Sequence, residues 1–256
     1  MSLWDRILEP GGLTTVFQPI FRVDRPLAGR IEESRRFPFA LEALTRGPRG
    51  TNIERSDVLF EYVRRKRRET EIDLLSIEAA LCEARKLPAL PGPCAISLNI
   101  HASTLEKDRQ IAGWLAGLAA DYEIPLDRII IEIVEHAPPW SGPQLLTTLS
   151  ELRALGVRIA LDDVGLGQSN FRMILDCRPD LLKIDRHFVA GAHADPLRRA
   201  VLQSIADLAS RLGGEAVAEG IEDERDLTAV TDIGIQLIQG YLLCRPCSGP
   251  CLGAYL

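Results

Sequence analysis

Seven positions combine residue types and placement that chemistry needs: Glu42, Asn99, Glu132, Asp162, Lys183, Glu219 and Gln239 each stand near the end of a short apolar run. Any one of them reads as a satisfied strand-end residue or a helix N-cap. Seven in succession, four of them acids, read differently. Clustered carboxylates repel one another and resist leaving water unless a cation joins them. The stretch IALDDVGLGQSN (159–170) sharpens the point, because its apolar run ends in two adjacent carboxylates, Asp162 and Asp163. The donors are hard oxygens (Glu42, Asn99, Glu132, Asp162, Asp163, Glu219) with no cysteine or histidine pair nearby. That set selects Mg²⁺, Mn²⁺ or Ca²⁺ over zinc. The two aspartates leave the chain in different directions and can serve two metals, and ions about 3.5–4 Å apart suit a phosphodiester and a water in line. Lys183 among acids stays protonated until neighbouring divalent cations push its pKa down, after which it can orient or deprotonate water. An enolase-like site, with carboxylates on successive strands and a lysine base, is the alternative. The paired aspartates and the extra ligands Glu42 and Asn99 favour two metals over one.

These residues need elements that bring them together. Eight short apolar runs recur, at 15–23, 39–46, 94–100, 129–135, 158–164, 181–185, 215–221 and 237–243. Between them lie segments with apolar residues at helical spacing, such as Leu145, Leu149 and Leu152, or Leu197, Val201, Ile205, Leu208 and Leu212. Runs without clean alternation, each followed by an amphipathic helix, predict a parallel sheet covered by helices. Eight such units in 256 residues match the size of an α/β TIM-type (β/α)₈ barrel, whose strand ends converge on one face. The turn-rich connection 24–38 is no crossover helix, so the first strand is expected to pair antiparallel with the second. No repeat or linker divides the chain, which reads as a single domain over 1–256.

Composition excludes other classes. With 46% hydrophobic and 26% charged residues and a net charge of −6, the chain is not an obvious binder of nucleic-acid polymers. MSLWDRILEP has no leader pattern, and no run reaches the ~18 apolar residues of a membrane span, so a cytoplasmic protein without a membrane partner is expected. The basic run in YVRRKRRE (62–69) reads as the solvated part of a helix. VGLGQSN lacks both the third glycine of a dinucleotide fingerprint and the GK[ST] of a P-loop. Six cysteines in a chain this long suit reduced thiols. Cys244, Cys247 and Cys251 have a CxxCxxxC spacing that could bind a metal, but no fourth ligand lies nearby and the prolines read as turn chemistry.

From FQPI (17–20) to RP (245–246) the chain resembles the EAL-domain family of cyclic di-GMP phosphodiesterases. EALTR (42–46), SLNIH (97–101), EIVE (132–135), DDVGLG (162–167), LKID (182–185), AEGIE (218–222) and QGYLLCRP (239–246) follow in the family's order. The resemblance implies a barrel whose first strand is antiparallel, and hydrolysis of cyclic di-GMP to linear pGpG with two Mg²⁺ or Mn²⁺ ions, in a homodimer. It implies that Glu42, Asn99, Glu132 and Asp162 hold one metal, and that Asp162 bridges to a second held by Asp163 and Glu219. It assigns Lys183 to the nucleophilic water with Asp185 in support, Glu135 to anchoring the loop after the fifth strand, and Glu222 and Gln239 to the inner shell. Gln18, Leu44, Arg46 and Pro246 take the ligand-contacting positions. The sequence departs from the family at Val164 (usually aromatic), Leu166 (usually small), Val134 (usually threonine) and Gly47 (often tryptophan). The departures in the loop after the aspartates touch regulation and rate more than chemistry. A receptor that binds cyclic di-GMP uncut, or a scaffold of the same fold, is the alternative.

Overall fold

The computed structural model describes residues 2–23, 36–87, 94–134, 142–165 and 171–252, without the side chains of residues 36, 37, 250 and 251. Glu135, Leu166, most of the connection 24–38 and the side chain of Cys251 therefore lie outside the described residues. Eight strands close into one barrel in chain order. They are β1 (Thr14–Val23), β2 (Arg36–Arg46), β3 (Ala95–His101), β4 (Ile129–Val134), β5 (Arg158–Val164), β6 (Leu181–Ile184), β7 (Glu215–Ala218) and β8 (Leu237–Ile238). β1 runs antiparallel to both β2 and β8, and every other pair is parallel. The expected barrel with an inverted first strand is what the chain forms.

Helices clothe the outside. α1 (Leu3–Leu8) packs with α2 (Ser56–Lys66) and α3 (Glu69–Ala84) through Ile7, Leu59, Val63 and Ile72. α4 (Ala102–Lys107), α5 (Ile111–Asp121), α6 (Pro143–Ala154), α7 (Phe171–Cys177), α8 (Arg186–Val189), α9 (Pro196–Arg211), α10 (Glu224–Ile233) and α11 (Gly249–Leu252) follow. Leu145, Leu149 and Leu152 are buried on α6, as their spacing predicts. On α9 Leu202 and Ala209 are fully buried and the expected Ile205, Leu208 and Leu212 pack partly buried against the core, while Leu197 and Val201 are exposed. Leu197 sits in the first turn, after the capping Asp195 and Pro196, so the start of the stripe stands clear of the barrel. The basic run does not continue one helix: α2 ends at Lys66 and Arg67 adopts a left-handed φ of 56°. Arg64, Arg65 and Lys66 occupy the last turn, where the helix dipole favours cations, and Arg64 and Arg65 both pair with Glu61.

The barrel interior has two layers. One residue from each strand builds the apolar layer: Ile20, Ala40, Ala95, Ile130, Ala160, Leu181, Val217 and Leu237. Two residues along each strand, toward the other end of the barrel, stand Gln18, Glu42, Ser97, Glu132, Asp162, Lys183, Glu219 and Gln239. The period of two that governs a strand puts both sets inside. The last two runs are shorter as strands than their apolar length suggests. β7 ends at Ala218 and β8 at Ile238, so Glu219 and Gln239 leave from the first residues beyond them. Gln239 N–H still donates to the Ala218 carbonyl at 2.9 Å, which keeps the two ends in register.

Candidate metal centre

Strand registers align the polar layer. Gln18 lies opposite Glu42, Glu42 beside Ser97, and Asn99 beside Glu132. The adjacent aspartates need more than register, since neighbours on a regular strand face opposite sides. Between Leu161 and Val164, β5 advances three residues while β6 advances only from Leu182 to Ile184. This bulge carries one extra residue, and Asp163 takes a left-handed φ of 50° within it. The outcome is that Asp162, Asp163 and Glu219 each offer an oxygen within 4.8 Å of the others. Among the described residues this is the one such cluster of three potential metal-ligating groups. Gly165 follows with φ 99°, and a Cβ there would stand 2.6 Å from the Phe188 ring, so the chain leaves the site by a turn that glycine alone fits well.

Lys183 is the electrostatic centre. Its ammonium is 2% exposed and meets four carboxylates: Glu132 in a short contact, Glu219 at 2.6 Å, Asp162 at 3.2 Å and Glu42 at 3.4 Å. Burial alone would lower the Lys183 pKa, but Asp162, Glu132, Glu219 and Glu42 together hold it well above its ordinary value. Without divalent cations it is an ammonium, as the sequence reading requires. Burial and the neighbouring acids push Glu132 well up, and burial pushes Glu219 to about 8. Asp163 rises to about 6 through burial, Asp162 and Asp185. Glu42 resists the same burial, because Lys183, Gln239 and Asn99 hold it below its usual range. Five carboxylates thus gather around the Lys183 ammonium, and Glu132, Asp163 and Glu219 favour their neutral forms more than usual until further positive charge arrives. All the donors are oxygens, which suits hard divalent cations.

The remaining residues divide between positioning and the walls. Asn99 Nδ2 donates to Glu42 Oε1 at 3.2 Å, and Gln239 Nε2 to Glu42 Oε2 at 2.7 Å. Gln18 Nε2 donates to the Cys244 carbonyl at 3.1 Å. Arg46 is turned along its own strand, to the Thr45 carbonyl at 3.2 Å and to Ser56 Oγ. Asp185 caps α8 by accepting from His187 N–H at 2.7 Å, so its hydrogen bond goes there rather than to Lys183. Glu222 pairs with Arg186 at 2.8 Å. Pro246 is half-buried in the segment that the Gln18–Cys244 bond fastens. Two cavities, of about 530 and 280 Å³, flank the acids and share Glu42, Leu44 and Asp162 as walls.

Two supports escaped the sequence reading. Ser97 Oγ donates to Glu132 Oε2 at 2.9 Å, and its position two residues before Asn99 on one strand face is a signal that finds it. Asp73 accepts from His101 N–H at 3.0 Å and bonds His101 Nδ1 at 2.7 Å, fixing the end of β3 to α3. An acid amid the apolar EIDLLSI gives no such signal.

Comparisons with known proteins point to one family. A family model described as the EAL domain matches residues 4–246. Cyclic di-GMP phosphodiesterase RocR of Pseudomonas aeruginosa is 31% identical over 166 residues, which are 65% of this chain and 42% of that protein. Cyclic di-GMP phosphodiesterase NbdA of the same species is 33% identical over 174 residues, 68% of this chain and 21% of the other. The chain thus spans less than half of the length of these relatives. Among solved structures, the Klebsiella pneumoniae BlrP1 manganese and cyclic di-GMP complex superposes with a TM-score of 0.78 at 27% identity, covering 94% of this chain and 58% of that one. A standalone EAL protein from Vibrio cholerae in its c-di-GMP bound form gives 0.75 at 25% identity, covering 93% of both chains.

Proposed function

Because the chain belongs to the EAL domain family, we propose that it hydrolyses cyclic di-GMP to linear pGpG with two divalent cations, Mg²⁺ or Mn²⁺. The observation that carries this reading is the charge of the site. Among the described residues, Glu42, Glu132, Asp162, Asp163 and Glu219 gather around one cation, Lys183, an excess of four negative charges when all are ionised, which two divalent ions match. In this reading Glu42, Asn99, Glu132 and Asp162 would hold one cation, and Asp162, Asp163 and Glu219 would serve a second. When bound, the cations neutralise charge at the phosphodiester and acidify water.

The chain's own residues supply the rest. Lys183 hydrogen-bonds and orients the attacking water, Gln239 and Asn99 hold the Glu42 carboxylate in place, and Ser97 does the same for Glu132. Asp185 and Glu222 line the smaller cavity beside Glu219, and the same reading assigns Glu135 to anchoring the loop after β5. Gln18, Leu44, Arg46 and Pro246 contact the nucleotide, with Arg46 swinging from Ser56 to a phosphate as a charge-assisted donor. Two cavities that share a wall at the acids suit a ligand with two nucleotide halves joined through phosphates. A homodimer belongs to the same proposal: Phe171 and Leu175 on α7 and Leu146 on α6 are exposed apolar side chains of the kind an interface covers.

Incubation of purified protein with cyclic di-GMP and Mn²⁺ or Mg²⁺ is expected to give pGpG, and Asp162→Asn to reduce turnover by at least about 10³-fold. Absence of product with either metal, from a protein that melts cooperatively, would sink the proposal. Tight calorimetric binding of a nucleotide that stays intact would assign a receptor in its place.

A further inference from the structure

Cys244, Arg245, Pro246 and Cys247 form a C-x-P-C segment that Gln18, in the wall of the smaller cavity, grips by the Cys244 carbonyl. It is fastened at both ends. Cys244 N–H donates to the Gly240 carbonyl at 3.1 Å, and Phe17 and Cys247 exchange two backbone hydrogen bonds of 2.8 and 2.9 Å. Between these anchors the Cys244 carbonyl accepts from Gln18 Nε2 at 3.1 Å. The Cys244 thiol donates to the Arg245 carbonyl at 3.2 Å, inside the turn that separates the two cysteines, and the Cys247 thiol is close enough to act on it electrostatically. Both are reduced; Cys244 is 2% exposed and Cys247 is half-buried. The two side chains that could be joined therefore bracket Pro246 and share a backbone segment with the partner of Gln18.

We propose that Cys244 and Cys247 form a reversible disulfide when a hydroperoxide oxidises them, and that the closed bridge weakens nucleotide binding at Gln18 and Pro246. The inference rests on the reading of those two residues as nucleotide contacts. Cys247, the more accessible thiol, reacts first: its sulfur bonds to one peroxide oxygen, the O–O bond breaks, and water or an alcohol leaves. The product is a sulfenic acid beside Cys244. Burial pushes the Cys244 thiol up to about 12, so it stays protonated and is the resolving partner rather than the first to react. Its sulfur attacks that of Cys247, the S–S bond forms as the S–O bond breaks, and the Cys244 proton leaves with the hydroxide as water. Two thiols lose two electrons and two protons, and one peroxide bond is reduced.

A disulfide of about 2.05 Å is far shorter than any thiol–thiol hydrogen bond, so closure draws the segment together. Gly240 and Phe17 hold the ends, and the adjustment falls on Arg245, on Pro246 and on the carbonyl that Gln18 grips. The carboxylates and Lys183 belong to other segments. Oxidation then acts on KM more than on kcat.

The test treats the protein with hydrogen peroxide, removes the excess, and reads three things. Peptide mapping without reductant is expected to recover a Cys244–Cys247 crosslink. The KM for cyclic di-GMP is expected to rise roughly tenfold, with kcat within about twofold, and to return with dithiothreitol. Cys247→Ser is expected to show neither the crosslink nor the KM change. A missing crosslink overturns the proposal, as does a crosslink with an unchanged KM. Should cyclic di-GMP bind without being cut, the phosphodiesterase reading fails, and calorimetric affinity of oxidised against reduced protein decides the switch separately. Equal affinity, or none in either state, overturns it.

Discussion

Lys183 shows how one side chain can balance a site built for ions. Its ammonium reaches four carboxylates within 3.4 Å, deep in the barrel, and stands where additional positive charge would otherwise be needed. A buried charge pair broken on one side costs about 3–5 kcal/mol, because the remaining charge has no counter-ion. Lys183→Met leaves the acids alone in chelator, so a drop in melting temperature on the order of ten degrees is expected there. In millimolar Mn²⁺ the ions take over the balancing, and the drop is expected to shrink by at least half. Paired thermal melts, with and without chelator, make the comparison. Equal drops in the two conditions would mean that Lys183 is structural in a way the cations do not share.

At the scale of elements, the β5 bulge and the glycine after it turn two neighbouring aspartates into one ligand group. Gly165 is held at φ 99° against Phe188, and an added Cβ would meet the ring at 2.6 Å. Gly165→Ala therefore carries both backbone strain and a clash, about 1–3 kcal/mol, and displaces Asp163. Calorimetry is expected to show weakened Mn²⁺ binding, with partial recovery in Gly165→Ala/Phe188→Ala as the clash is relieved and the strain remains. Unaltered Mn²⁺ affinity in the single variant would show that this turn does not position Asp163. The same element marks the limit of what a sequence discloses. The polar layer was legible, because a period of two places Glu42, Glu132, Asp162 and Lys183 two residues beyond their strands' apolar layer. The bulge was not, since the string LDDV reads identically whether or not a residue is extra. Nor was the exposed start of α9, because Leu197 and Val201 share a helical spacing with residues that do pack.

Over the whole molecule, a closed barrel has no edge to fray, and its outer helices are tied to one another by side chains rather than by the sheet. Asp226 on α10 is such a tie. It is 6% exposed and accepts from Gly191 N–H at 2.9 Å, from His193 N–H at 3.0 Å and from His193 Nδ1 at 2.7 Å, fixing the connection between α8 and α9. Burial on its own would raise the Asp226 pKa. The two backbone donors and the His193 side chain outweigh it and hold the carboxyl below its ordinary value. A depressed carboxyl contributes stability that is present above its unfolded value of about 3.9 and is lost as pH falls through the folded one. Asp226→Asn keeps the shape but turns a donor toward these donors, at a cost of about 1–3 kcal/mol at pH 7. Because the wild type forfeits the same carboxylate in acid, the gap between the two proteins is expected to narrow by pH 3. Urea midpoints at pH 7 and pH 3 measure it. A gap that stays constant would show that Asp226 acts through packing alone, and that the charge on its carboxyl adds nothing to the tie between α10 and the α8–α9 connection.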